Sequence, residues 1–366
     1  MRCAECETID DIIFDQTNVW LYLPTKDALK RTINLFERQK WSYRATDNNN
    51  ISVSLPGTQM NKFAVVLFGE LTRKELQETK ILTTPAGSTK NNDLGSIDMG
   101  RVMNAEVFVY RIKGQWIVDA LEKERYESWY QPIVHAAGTD QNQPFALEGL
   151  LRLRDEKNKI IPPSYVFQIA DQADLLFSLD LAARASAVKS ATKAGYRGNI
   201  FVNFNPSSIY DPANCLRTTA AAINELGLKP SDVTFELVET HRVDSDHLKG
   251  ILAFYRQAGF KIALDDIGSG WSGLNMLHEV RPDYVKIDLD LVRDINENSL
   301  KQTIVSHLIA IAREHNIKVI AEGIETEKEA QILRQMNVDY LQGYLFCKPD
   351  TADNVLSKYS PSQLSA

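Results

Sequence analysis

The stretch "KIALDDIGSG", residues 261–270, sets a short apolar run against two adjacent aspartates and a Gly-Ser-Gly turn. Ile262 to Leu264 read as a buried strand that ends on Asp265 and Asp266. Carboxylates at such a place are costly unless something positive sits with them. Both the fold and the chemistry therefore turn on what other segments bring to this strand end.

The same pattern recurs on either side of it. Short apolar segments alternate with helical ones from Tyr130 onward: "YQPIV" (130–134), "FALEGLLRL" (145–153), "NIFVNF" (199–204), "VTFELVE" (233–239), "KIALD" (261–265), "YVKID" (284–288), "KVIAE" (318–322) and "VDYLQG" (338–343). Amphipathic stretches such as "DHLKGILAFYRQAG" lie between them. Eight strands alternating with helices predict a TIM-like (β/α)8 barrel. A doubly wound open sheet is the alternative, and the lack of a G-x-G-x-x-G after the first strand weakens it.

Alternate residues of a barrel strand face the interior or the surrounding helices. By that parity Glu148, Leu150 and Arg152 share one face, as do Asn203 and Asn205, and Lys286 and Asp288. Glu236, Asp265 and Glu322 each oppose apolar neighbours suited to the helix side. Charged residues are seldom fully buried unless paired or bound to metal. Glu148, Glu236, Asp265, Asp266 and Glu322 against Lys286 and Arg152 leave an excess of carboxylate, which divalent cations would relieve. Oxygen ligands without His or Cys suit Mg²⁺ or Mn²⁺ rather than Zn²⁺. Adjacent Asp265 and Asp266 suit a two-metal site of the kind used on phosphodiesters, with Arg152 holding a phosphate.

The first ~120 residues read as a separate unit. "NVWLYLP" (18–24) and "FAVVLF" (63–68) read as strands, "WSYRAT" and "ISVSL" as a hairpin around an Asn-rich turn, and "TKDALKRTINLFERQ" and "TRKELQETKIL" as helices, the first N-capped by Thr25. Residues 83–100 read as a long loop. The expected organisation is a small α+β regulatory domain over 1–100, a mostly helical connector over 101–129 and the barrel over 130–360.

Composition narrows the classes. The chain has 366 residues, is 44% hydrophobic, and carries 41 Lys plus Arg against 48 Asp plus Glu, a formal net charge of −7. Such a chain is a poor candidate for binding a nucleic-acid polymer non-specifically. No run of about 18 apolar residues appears, so no membrane insertion is expected. The start lacks the apolar core of a signal peptide, and the chain reads as cytoplasmic. Cys3, Cys6, Cys215 and Cys347 do not make a disulfide framework, and the lone Cys3-x-x-Cys6 pair reads as free thiols rather than zinc ligands.

From about Tyr130 to Pro349 the chain resembles the EAL-domain family of cyclic-di-GMP phosphodiesterases. "YQPIV", "LEGLLR", "VNFN", "FELVET", "IALDDIGSGWSGL", "VKID", "AEGIET" and "QGYLFCKP" carry the likeness, in family order. The resemblance implies a barrel with one antiparallel strand, usually the first. It implies hydrolysis of cyclic-di-GMP to linear pGpG with two Mg²⁺ or Mn²⁺ ions, Ca²⁺ being inhibitory. Glu148, Asn203, Glu236 and Asp265 would hold the first metal. Asp265 would bridge to a second held by Asp266 and Glu322. Lys286, oriented by Asp288, would lie beside the attacking water, and Gln342 would complete the site. Gln131, Leu150 and Arg152 match substrate-contacting positions, Glu325 a guanine contact, and Glu239 the glutamate that holds the loop after the paired aspartates.

The signature reads Glu148-Gly149-Leu150, with glycine where the family has alanine. Ile267, Trp271 and Gly273 also depart from the commoner residues. No GGDEF-type signature is present, so cyclase activity is not expected. A non-catalytic cyclic-di-GMP receptor is the rival reading, but receptors of this type usually lack metal ligands that are all present here. The resemblance further implies a homodimer, with the N-terminal domain binding an unidentified signal or protein.

Overall fold

The structure is a computed structural model, and it describes residues 9, 11–46, 48–87, 101–137, 144–206, 209, 212–237, 245–268 and 273–359. The chain forms two compact units. One is built from Glu7–Arg125 together with Arg154–Leu176, the other chiefly from Tyr126–Leu153 and the chain from Phe177 onward.

The first unit holds a five-stranded antiparallel sheet of β1 (Gln16–Tyr22), β2 (Tyr43–Ala45), β3 (Asn50–Pro56), β4 (Lys80–Pro85) and β5 (Met103–Asn104), in the order β2-β3-β1-β4-β5. Without β5, this is the split βαβ arrangement, in which helices cover one face of an antiparallel sheet. Alternation in β1 sends Val19 and Leu21 into that covered face, where Val53, Ile81, Phe36 and Phe63 join them. The helix Lys26–Gln39 starts where expected, with Thr25 accepting from Ala28 N at 3.1 Å.

"FAVVLF" is not a strand. It lies in the helix Met60–Glu70, whose buried residues Met60, Phe63, Ala64 and Leu67 follow helical spacing. Six residues of continuous apolar sequence cannot reveal that period, and the register with Met60 decides it. The helix after it ends at Glu78, closed at its start by a Thr72–Glu75 capping box, and its expected tail becomes β4. Thr83 to Pro85 belong to β4 rather than to a loop, and 88–100 lie outside the described residues. The connector is helical over Ala105–Lys113 and Gln115–Glu122.

The second unit is a closed eight-stranded barrel. Its strands are β6 (Tyr126–His135), β7 (Ala146–Arg154), then, past the two-residue β8 (Ile160–Ile161) of the first unit, β9 (Asn199–Phe204), β10 (Val233–Leu237), β11 (Lys261–Ile267), β12 (Tyr284–Ile287), β13 (Lys318–Ala321) and β14 (Tyr340–Gln342). Neighbours run parallel from β7 through β9 to β14, and β6 closes the ring antiparallel to both β7 and β14. The first strand is therefore the reversed one. Among the described residues no helix is long and apolar enough to cross a membrane.

Two apolar layers result. Val202, Phe235, Leu264, Val285 and Val319 pack outward with the helices. Inside, Ile133, Ala146, Phe201, Ala263, Tyr284, Ile320 and Tyr340 form a plug across the barrel. Two residues further along the strands, on the same face, stand Glu148, Asn203, Asp265, Lys286, Glu322 and Gln342. The plug is thus the floor of a polar layer, and the eight-strand spacing puts that layer within reach of itself.

Gly149 faces the other way. A Cβ there would lie 2.6 Å from Ala187 Cβ in the helix Leu176–Lys193, so glycine lets helix and strand approach closely. Gly149→Ala is expected to destabilise the barrel by about 1–3 kcal/mol through overpacking. Adding Ala187→Gly should cost less than the sum of the two single changes. Thermal melting of the three variants checks this, and an unchanged melting temperature for Gly149→Ala would contradict the close contact.

Candidate active site

The polar layer centres on Lys286, which is 1% exposed. Its Nζ lies 2.5 Å from Glu322 Oε1, 2.8 Å from Glu236 Oε1, 3.1 Å from Asp265 Oδ1 and 3.7 Å from Glu148 Oε2. Burial alone would push the lysine down, but the charges of Asp265, Glu148, Glu236 and Glu322 together hold it well above the usual lysine range. Burial raises Glu236 and Glu322 well above ordinary carboxylates, with neighbouring carboxylates adding to the effect and Lys286 opposing it. One ammonium thus faces four carboxylates.

Two acceptors stay unsatisfied. Glu236 Oε2 and Gln342 Oε1 are buried and accept no hydrogen bond among the described residues, while Asp265 Oδ1 and Glu322 Oε1 have only the shared Lys286 ammonium. Orphaned buried oxygens carry a desolvation penalty, and a bound cation would remove it. Asp265, Asp266 and Glu322 each place a carboxylate oxygen within 4.8 Å of the others, a set that could hold a metal ion. The donors are oxygens throughout, which fits a hard divalent cation.

Strict alternation would turn Asp266 away from Asp265. The structure avoids this with an irregularity: the β11–β12 register shifts between Leu264 and Ile267, and Asp266 takes a left-handed φ of 53°. Such bulges re-aim side chains beside active sites, and aspartate tolerates the left-handed region better than most residues. Both aspartates can then serve one site. Burial, with the charge of Asp265 beside it, pushes Asp266 up to about 6, and contact with Asp288 adds to the rise. Asp288 is buried, and its carboxylate also accepts from Asp290 N at 2.8 Å, capping the turn Leu289–Val292.

Gln342 ties the seam of the barrel. Its Nε2 donates to Glu148 Oε2 and, at 3.3 Å, to Gln131 Oε1, while Gln131 Nε2 donates to Cys347 O at 3.1 Å. Gly343 is required behind it, because a Cβ there would meet the Ile324 carbonyl oxygen at 2.1 Å. Asn203 is half-buried and in register with Glu236 across β9 and β10. Arg152 lies over the Trp129 ring at 5.2 Å and donates to Leu151 O at 2.9 Å. Burial lowers its pKa, against the pull of Glu148.

A cleft of 360 Å³ opens over the layer. It is lined by Gln131, Glu148, Leu150, Glu322, Glu325 and Gln342 of the residues expected from sequence, and by Leu289, Arg293, Gly323, Gly343 and Tyr344, which were not expected. Arg293 Nη2 lies 3.5 Å from Glu325 Oε1. Arg152 does not line this cleft, and Glu239 lies outside the described residues. The unexpected residues sit on the short helical turn after β12 and on the loops after β13 and β14, where no periodicity marks them. Only the placement of Gly323 and Gly343 directly after the polar residues Glu322 and Gln342 could have pointed to them.

Comparison with known proteins agrees with this geometry. The EAL domain family matches residues 115–349, and the chain belongs to that family. The cyclic di-GMP phosphodiesterase PdeR of Escherichia coli (strain K12) is 29% identical over 251 residues, covering 68% of this chain and 37% of PdeR. The cyclic di-GMP phosphodiesterase RocR of Pseudomonas aeruginosa is 27% identical over 255 residues, covering 67% of this chain and 63% of RocR. The chain thus spans less than two thirds of either relative. A standalone versatile EAL protein from Vibrio cholerae O395, in its c-di-GMP-bound form, superposes with a TM-score of 0.55 at 32% identity, over 62% of this chain and 93% of that one.

The raised Asp266 makes a pH prediction for the metal-free protein. An acid whose folded pKa exceeds its unfolded value binds more protons when folded, so stability falls as pH rises through that window. In EDTA, Asp266→Asn is expected to be more stable than wild type at pH 7, by on the order of 1 kcal/mol after allowing for partial exposure. The gain should vanish as pH falls from about 6 toward 4, the interval between the folded and unfolded values. Denaturant melts across that range decide it, and a pH-independent difference would contradict the assignment.

Proposed function

We propose that the barrel hydrolyses cyclic-di-GMP to linear pGpG, using two divalent cations, Mg²⁺ or Mn²⁺. The observation that carries the reading is the buried ring of carboxylates whose oxygens outnumber the one ammonium among them. Glu148, Asn203, Glu236 and Asp265 would hold one cation, and Asp265, Asp266 and Glu322 the other. When bound, the pair supplies Lewis acidity at the phosphoryl group and makes water a better nucleophile at neutral pH.

The chain's own residues do the rest. Lys286, kept charged by its neighbours, stabilises negative charge as it develops on the phosphate. Asp288 supports Asp266 and caps the turn beneath it, which fixes the second half of the site. Gln342 holds Glu148 and Gln131 in place. Gln131 and Leu150 line the cleft where the substrate would lie, Arg152 would meet a phosphate from the strand beside it, and Glu325 would face a guanine edge. Glu239 would hold the loop after Asp266.

The relatives named as cyclic di-GMP phosphodiesterases, and the neighbour bound to c-di-GMP, support the substrate class. A homodimer fits the exposed apolar side chains Leu300, Ile304 and Ile311 on the helix Ser299–Glu314.

Purified protein incubated with cyclic-di-GMP and Mg²⁺ or Mn²⁺ should yield pGpG, and EDTA or Ca²⁺ should stop the reaction, since calcium prefers longer and looser coordination. Glu148→Ala or Asp265→Ala should lower turnover by on the order of 100-fold or more while the fold is kept. Mg²⁺ or Mn²⁺ should also raise the melting temperature of wild type, and less so that of Asp265→Ala. Tight cyclic-di-GMP binding with no product under any metal would replace the enzyme with a receptor. Near-normal turnover by Glu148→Ala would sink the metal assignment.

A further inference from the structure

The sheet of the N-terminal unit packs one face into its core, and among the described residues the other face is buried at Leu82 and Thr84 but accessible around Trp20 and Tyr22. Trp20 and Tyr22 of β1 point to that second face. Register aligns the neighbours on that face: Trp20 stands between Ser52 and Leu82, with Arg44 beyond Ser52, and Tyr22 stands between Asn50 and Lys80. Tyr22 is 50% exposed although it lies on the central strand of a sheet. Two adjoining clefts of 330 and 760 Å³ open here and share Trp20, Arg44 and Ser52 in their walls. The larger one also takes in Tyr22, Lys80 and Val102.

The chemistry of the walls is uneven. Arg44 and Lys80 supply positive charge from opposite sides, and none of the described wall residues is acidic. Neither cation has a carboxylate within ion-pair distance among the described residues. In a chain with a net charge of −7, an aromatic surface carrying two cations that no described carboxylate pairs calls for a planar anion. Antiparallel sheets backed by helices use central-strand aromatics in this way, stacking a base while flanking groups meet its edges and phosphate. Asn18, Asn50, Ser52 and Ser54 supply the edge-reading polar groups. Strands about 4.8 Å apart place Lys80 one strand from Tyr22 and Arg44 two strands from Trp20, within one nucleotide's span. Two cations are too few to track a polymer backbone.

We infer that the open face of the N-terminal sheet is a binding site for a free nucleotide, its base stacked on Trp20 and its phosphate met by Arg44 or Lys80. The site lies entirely within the N-terminal unit and does not depend on the barrel reaction.

The test is calorimetric titration of the full chain with guanosine and adenosine 5′-monophosphates, and with inorganic phosphate. The expected result is saturable mononucleotide binding that survives Glu148→Ala in the barrel. It should weaken by about 10-fold or more in Trp20→Ala, as loss of one stacked base predicts, and persist in Trp20→Phe. Arg44→Ala/Lys80→Ala, at exposed positions, should weaken it equally while the fold is unchanged by circular dichroism, so the test stands even if Trp20→Ala fails to fold. The inference is overturned by absence of saturable binding at millimolar concentration, by binding lost in Glu148→Ala but kept in the sheet variants, or by phosphate alone binding as well. It is also overturned if only single-stranded RNA binds, or if the face proves to pair two copies of the chain, seen as dimerisation lost in Trp20→Phe and Arg44→Ala/Lys80→Ala alike.

Discussion

One buried ammonium faces four carboxylates, and the rest of the barrel serves that arrangement. A unit charge pair at about 4 Å is worth roughly 4 kcal/mol at an effective dielectric near 20. Lys286 gains such terms from Glu322, Glu236, Asp265 and Glu148, but the carboxylates also repel one another over similar distances. The sum leaves negative charge uncompensated in a place where water cannot screen it. Protons or cations must make up the difference, and the raised carboxylates express the same imbalance from the side of protonation. An apolar repacking of this layer would remove the imbalance altogether, so the layer is explained by what it binds rather than by what it contributes to stability.

Holding like charges together requires a frame that cannot relax. The plug of Phe201, Tyr284, Ile320 and Tyr340 supplies it, stiffened by Phe145 stacked on Tyr340 with ring centroids 3.8 Å apart. Each plug residue precedes a polar one by two positions on the same strand face, so shifting any strand by a single residue would exchange plug for helix-facing side chains. The reversed β6 completes this frame. Its antiparallel register sets Gln131 opposite Glu148, and Gln342 from β14 then bridges them. A parallel strand at that position would not offer the same pairing.

The sequence exposes this layer to the extent that alternation governs it. Glu148, Glu236, Asp265, Lys286 and Glu322 are readable because each strand keeps period two up to its charged end. Asp266 is readable from its place beside Asp265 but not from alternation, since its orientation comes from a bulge and a left-handed residue that strict period two excludes. Leu289, Arg293 and Tyr344 escape for a related reason: they lie on a helical turn and a loop whose positions depend on the closed barrel, a long-range fact. The helix over Met60–Glu70 shows the converse error. Its β-branched core mimics a strand locally, and tertiary packing of Met60, Phe63, Ala64 and Leu67 overrides that preference.

The two units also differ in where function can reside. A barrel of parallel strands has both faces covered, by its own plug and by helices, so only strand ends and the loops beyond them remain for chemistry. The antiparallel sheet of the N-terminal unit closes its core on one side, and its other face keeps Tyr22, Arg44 and Lys80 exposed. That difference explains why Asp265, Asp266 and Lys286 stand toward the ends of β11 and β12, whereas Asn18, Trp20 and Tyr22 are spread along β1. Trp20 and Tyr22 lie on the side of the sheet away from the core of Val19, Leu21, Val53 and Ile81, and Trp20 is tied to that side by donating from Nε1 to Thr84 Oγ1 at 3.4 Å. The exposed ring of Tyr22, beside the half-buried Trp20, is the apolar surface that a flat ligand would cover.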